Sequence, residues 1–226
     1  LLEHALALRR EHLGDEHPDT LRSIKNLSLL LEVQGRFNDA ELLMREALEG
    51  RRRVLGDEHP DTLSSLSSMG VILQYQGKLD EAEPYLREAL KGERRVLGDE
   101  HPDTLSSITY MGVQFLQQGK YEEAEPYFRE ALEGRRRVLG DEHPDTLTSI
   151  THMGMYLQRQ GKHEEAEPYL REALEEKRRV FGDEHPATLS SIGHMGALLM
   201  EQGKYEEAEP YVREALEGNR SVLGDE

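Results

Sequence analysis

An all-α fold, a solenoid of antiparallel helix pairs, is what this sequence predicts, and three observations predict it. The string GDEHP begins at Gly14, Gly56, Gly98, Gly140 and Gly182, a step of 42 residues, and self-similarity at such a period marks a repeat architecture. Within each period, apolar residues recur at helical spacing between Gly and Pro punctuation. The composition is also lean for one compact core: 36% hydrophobic, 32% charged and 6% aromatic over 226 residues. Stacked thin layers need less, because each layer buries only the faces it shares with its neighbours. The regular Leu, Ala and Val spacing argues against a disordered chain.

One unit, Pro60 to Gly98, shows how the elements arise. Pro60 suits the first helical position, where an N–H is not needed, and Asp61 puts negative charge into the first turn. Leu63, Leu66, Met69, Gly70 and Leu73 then share one helix face. Gly77 breaks the run at a left-handed position. A second helix carries Ala82, Leu86, Ala89, Leu90, Val96 and Leu97 inward, and Gly98 stops it. Pro84 belongs in a first turn, so this helix is expected to start near Asp80. Gly70 and Ala82 mark a close approach of two helix backbones, and Ala89 an approach to the next unit.

The arrangement Met69, Gly70, Leu73, Gly77, Ala82, Leu86 and Ala89 resembles the tetratricopeptide signature. The longer 42-residue period and the string LGDEHPDTL are similar to the repeats of kinesin light chain and related bacterial proteins. The resemblance covers essentially the whole chain and implies a right-handed tetratricopeptide-like superhelix. Residues 1–226 then form a single array: 1–17 a partial second helix and link, 18–59, 60–101, 102–143 and 144–185 full repeats, and 186–226 a last helix pair. Leu1 aligns with Leu43, and Glu226 falls inside a link, so Leu2, Leu6, Val212, Leu216 and Val222 read as stacking residues without a cap. The expectation is a piece of a longer array, or copies that associate head to tail.

Comparing repeats inside the chain locates a candidate binding surface. One first-helix column reads Asn26, Ser68, Tyr110, His152, His194, and its neighbour reads Lys25, Ser67, Thr109, Thr151, Gly193. Two more read Leu29, Val71, Val113, Met155, Ala197 and Glu32, Gln74, Leu116, Gln158, Met200. Such variable positions form a stripe at three- and four-residue spacing, which stacking would extend into one surface. The resemblance implies that first helices line a concave groove and that these columns contact bound peptides. In kinesin light chain repeats an Asn often occupies the column of Asn26; here only that residue matches. The groove residues are Arg22, Lys25, Asn26, Ser67, Ser68, Val71, Thr109, Tyr110, Val113, Thr151, His152, Met155 and His194. Arg22, Lys25 and Asn26 suit a carboxylate, the rings suit stacking with polar edges, and Val71, Val113, Met155 and Leu116 suit apolar side chains.

The expected function is therefore a scaffold that holds an extended protein or peptide segment. The alternative is a structural array, designed or recently duplicated, whose function is self-assembly. Net charge −17 opposes nucleic acid and anionic membrane, and no apolar run reaches the ~20 residues of a membrane span. With no Cys there are no disulfides or thiolate sites, which fits a reducing, cytoplasmic setting. His17, His59, His101, His143 and His185 stand beside acidic residues but lie one repeat apart, so helix entry is the expected role and no metal or cofactor is implied. Ser, His and Asp recur as scaffold rather than as one singular constellation, so no enzyme is expected. Arg51-Arg52-Arg53 and Arg135-Arg136-Arg137 fall near second-helix C-termini, where positive charge complements the dipole.

Overall fold

A computed structural model describes the backbone of residues 2–223 and the side chains of residues 2–221. Among the described residues there are eleven α-helices and no strand. Leu1, Glu226 and the side chain of Val222, which the sequence marks as end residues, lie outside the described residues. The chain divides into two compact units, one up to Lys120 and one from Tyr121. The first holds α1 (Leu2–Leu13), α2 (Pro18–Val33), α3 (Phe37–Leu55), α4 (Pro60–Tyr75), α5 (Leu79–Val96) and α6 (Pro102–Gln117). The second holds α7 (Tyr121–Leu139), α8 (Pro144–Arg159), α9 (His163–Phe181), α10 (Pro186–Glu201) and α11 (Tyr205–Leu223). Within each unit every helix packs on the next in sequence, and first helices also touch across repeats, α4 on α6 and α8 on α10.

The recurring His settles how first helices begin. Nδ1 of His17, His59, His101, His143 and His185 accepts the backbone N–H two residues on, at 3.2, 3.1, 3.2, 3.2 and 3.1 Å. Each ring thus satisfies one N–H that the first turn leaves without a partner, and each following Pro supplies the first helical residue. The turn between paired helices is equally local. Gly77 sits at φ +74°, and the N–H of Lys78 reaches back to the Leu73 carbonyl at 2.9 Å, a Schellman closure that needs the left-handed residue.

Packing follows the repeat. In the first unit Leu21, Ile24, Leu66, Met69, Ile72, Leu73, Met44 and Leu86 are buried. Each such side chain contributes about 1.5–3 kcal/mol. A Cβ on Gly70 would lie 2.4 Å from Leu86 Cδ2, which confirms the close approach read from the sequence. Gly92 makes a second such approach, to Leu63 at 2.3 Å. On the outer side, second helices are linked by Arg10–Glu46 and Arg52–Glu88 in the first unit and by Arg136–Glu172 and Arg178–Glu214 in the second. These exposed pairs each contribute about 0–1 kcal/mol.

Three details differ from the sequence reading. The second helix of the worked unit begins at Leu79, which leaves Pro84 beyond the first turn. Pro84 is exposed, so water can satisfy the Asp80 carbonyl that its missing N–H frees. Val96 is exposed rather than inward. Leu6 is buried against the first core, whereas Leu2, Val212 and Leu216 are exposed.

Candidate functional site

In the first unit, α2, α4 and α6 present the predicted columns on one side. Lys25, Ser68, Val71, Tyr110 and Val113 are half-buried, while Arg22 and Asn26 are exposed. Arg22 is tied to Asp19 at 2.7 Å, so its charge is partly answered within its own helix. Lys25 Nζ crosses to Ser64 Oγ at 2.6 Å. Burial, and then the Arg51 guanidinium, pull Lys25 below the ordinary lysine range. Ser67 and Thr109 are instead buried and form a lower layer. The Ser67 and Ser107 hydroxyls share a 2.7 Å hydrogen bond, and Thr109 Oγ1 donates to the Leu105 carbonyl at 3.0 Å. Gln74 belongs to the same layer: its Nε2 donates to the Tyr110 carbonyl and to Gln114 Oε1, at 3.1 and 3.0 Å.

In the second unit, α8 and α10 bring forward His152, Met155 and His194, all half-buried, above a buried Thr151. The His152 ring leans on Phe128, with centroids 6.1 Å apart. Burial, then the positive charges of Arg135, Lys177 and His194, drop His152 to about 4. Burial and Lys177 lower His194 as well. Nδ1 of each ring is buried and has no hydrogen-bond partner.

One column escaped the sequence reading because it lies on second helices. Arg9, Arg51, Glu93, Arg135 and Lys177 keep the repeat step, and the last four are buried. They turn inward beneath the first-helix columns. Arg51 donates to the Asp61 carbonyl at 2.9 Å and to Ser65 Oγ at 2.7 Å, Arg135 to Ser149 Oγ at 2.6 Å, and Lys177 to Thr151 Oγ1 and Ser191 Oγ at 2.9 Å each. The Arg triplets are thus split: Arg52 and Arg53 stay in surface pairs, while Arg51 serves the interior. Glu93 reverses the sign of the column. Burial pushes its carboxyl up to about 7 against the hydrogen bonds of Ser107 and Ser67, and Oε2 has no partner. The signal was present in the repeat comparison: a position that stays polar while its neighbours on the helix stay apolar.

Helix hairpins joined by capped links, a lower polar layer and a variable first-helix face define the chain as a helical repeat protein. Its sequence matches the tetratricopeptide repeat family over residues 1–53, 31–92, 61–113, 105–175 and 148–221, and the chain belongs to that family. The solved structure of Podosopora anserina kinesin light chain nearly identical TPR-like repeats is similar at TM-score 0.71 and 23% identity, over 92% of this chain and 99% of that one. BtubC (BKLC) from P. vanneervenii is similar at TM-score 0.73 and 23% identity, over 100% and 89%. Rap protein complexed with competence and sporulation factor is similar at TM-score 0.79 and 13% identity, over 99% and 65%. At these identities the likeness concerns the fold. Among curated proteins none matches. No helix among the described residues is long and apolar enough to cross a membrane.

Proposed function

We propose that the chain is a protein-interaction scaffold that holds an extended peptide segment against the first-helix face. The observation that carries this reading is the composition of that face. Lys25, Ser68, Val71, Tyr110 and Val113 in the first unit offer alternating apolar contact and hydrogen-bonding edges without filling a core position, above a buried layer that holds Thr109 and Ser67. Arg22, Asn26 and Lys25 form its basic end. In the second unit Met155 supplies the apolar contact, while His152 and His194 supply polar edges. NprR in complex with its cognate peptide NprX shares the fold at TM-score 0.74, which supports peptide holding as a use of this fold. The test is selection of a peptide ligand followed by titration of variants. Lys25→Ala and Tyr110→Ala are expected to weaken its binding about tenfold each, since interface anchors of this kind cost ~1.4 kcal/mol or more when truncated. Unchanged affinity in both variants would remove the reading.

A second reading has its own observation. Met200, Tyr205, Val212 and Leu216 on α10 and α11 are exposed together and make an apolar patch. Self-association through this patch would make assembly a function of the chain. Sedimentation over a wide concentration range, repeated with Val212→Asp, decides it: a monomer throughout excludes this reading.

A further inference from the structure

The second unit brings three basic side chains together on the first-helix side. Lys177 comes from α9, His152 from α8 and His194 from α10. Lys177 is only 6% exposed, and its ammonium is held solely by two hydroxyls, Thr151 Oγ1 and Ser191 Oγ. Among the described residues no carboxylate pairs with it. Four acids of the same unit are paired elsewhere: Glu172 with Arg136, Glu176 with Arg179, Glu201 with Gln158 and His163, and Glu214 with Arg178. In a chain of net charge −17, a buried cation without a carboxylate is conspicuous, because such a group is costly unless paired.

Packing does not require these residue types. The Lys177 position is Arg51, Glu93, Arg135 or Asn219 in other repeats, and the His152 position is Asn26, Ser68 or Tyr110. The fold therefore accepts neutral side chains at the His152 column and either sign of charge at the buried Lys177 column, where the one neutral residue, Asn219, is exposed. The hydrogen-bonding inventory is incomplete at the same place. An ammonium has three N–H donors and Lys177 uses two, while Nδ1 of His152 and of His194 has no partner. Both rings are half-buried, so part of each meets the face, while Lys177 and the two Nδ1 atoms lie beneath it.

We propose that Lys177, His152 and His194 form an anion subsite that takes a carboxylate or phosphate group carried by an extended partner segment. The subsite rests on the reading of the first-helix face as a peptide site and names the chemistry of one position on it. Lys177, which burial lowers to about 8, supplies positive charge at neutral pH, Thr151 and Ser191 aim it, and the two imidazoles donate from ring nitrogens when they take up protons beside the anion.

The experiment follows the ring Cε1–Hε1 NMR signals of His152 and His194 in the full chain, with His143 and His185 as internal references. Sodium acetate and inorganic phosphate are the probes, added at constant ionic strength against sodium chloride. Saturable shifts at His152 and His194 alone are expected. Lys177→Asn, which keeps a hydrogen-bonding side chain but no charge, should weaken saturation about tenfold or more, and Lys177→Arg should retain it, as loss of a charge-assisted hydrogen bond predicts. Equal shifts at all four histidines, or an unchanged response in Lys177→Asn with native circular dichroism, would overturn the proposal. Capped hexapeptides that differ only in a central Glu, phosphoserine or Gln separate the sources: a preference for Glu assigns a carboxylate, and a preference for phosphoserine assigns a phosphate. Equal binding of the Gln peptide overturns the subsite. Free anions that bind where none of the peptides does keep the subsite and remove the peptide reading. A selected peptide that needs Tyr110 in a chain without the anion response does the reverse.

Discussion

Replacing Gly70 by Ala and Gly193 by Ala should move stability in opposite directions, although both are helical glycines on first helices. A Cβ at Gly193 meets nothing within 4 Å, so the substitution gains only helix propensity, about 0.8–1 kcal/mol. A Cβ at Gly70 meets Leu86 Cδ2 at 2.4 Å and Cγ at 2.5 Å, with the Ala82 carbonyl oxygen at 3.5 Å. Cγ is not a free tip, and Leu86 is fully buried, so the clash is relieved only by shifting α5 or twisting Leu86 off its rotamer. Overpacking of that kind costs about 1–3 kcal/mol, and the propensity gain offsets about 1 of it. The net expectation for Gly70→Ala is a loss of roughly 0–2 kcal/mol. Urea unfolding followed by far-UV circular dichroism reads both signs as midpoint shifts. The double variant Gly70→Ala/Leu86→Ala sharpens the test. Leu86→Ala alone should cost about 2–5 kcal/mol by leaving a cavity, and the Gly70 methyl should then fall into vacated space. A coupling of ~1 kcal/mol or more is expected from the cycle. Additive effects, or a gain for Gly70→Ala equal to that of Gly193→Ala, would refute the close-approach argument.

Further predictions concern caps and protons. His59→Ala should cost about 0.5–2 kcal/mol, the loss of a helix cap, read as a lower urea midpoint. Glu93 has a folded pKa of about 7 against an ordinary 4.5, so the folded state holds its proton more tightly. Stability should fall as pH rises from 4.5 to 7, and Glu93→Gln should remove that slope and be more stable above pH 7 by about 3 kcal/mol. His152 has the opposite sign: its folded pKa of about 4 lies below 6.5, so the unfolded state binds the proton better. Stability should be lost as pH falls from 6.5 to 4, and His152→Asn should flatten that window. Urea midpoints measured across pH for each variant check both windows.

How far the sequence carried can be judged residue by residue. The His rings at helix entry, the left-handed Gly77 and the small Gly70 were legible because each answers a local demand: an N–H without a partner, a turn, a backbone approach. Ser68 with Val71 on α4, and His152 with Met155 on α8, were legible as sharing one helix face because residues three apart lie on the same side. Ser67, Thr109 and Thr151 vary just as much, yet they are buried beneath that face. Variation between repeats shows that a position escapes one fixed packing partner; it does not show that water reaches it.

By itself, then, the sequence determined the repeat, the helix pairs, their caps and the side on which the variable residues gather, all through interactions a few residues apart. Only the tertiary structure decided which charges go inside. Arg51 and Arg52 are adjacent in one triplet, and nothing local separates an inward arginine from a surface one. The difference is made by α4, whose Ser65 and Asp61 carbonyl stand where Arg51 arrives, and by α5, whose Glu88 waits for Arg52 outside. The same packing set Lys177 and the two histidines together without an acid, which is a property of helices meeting rather than of any one segment.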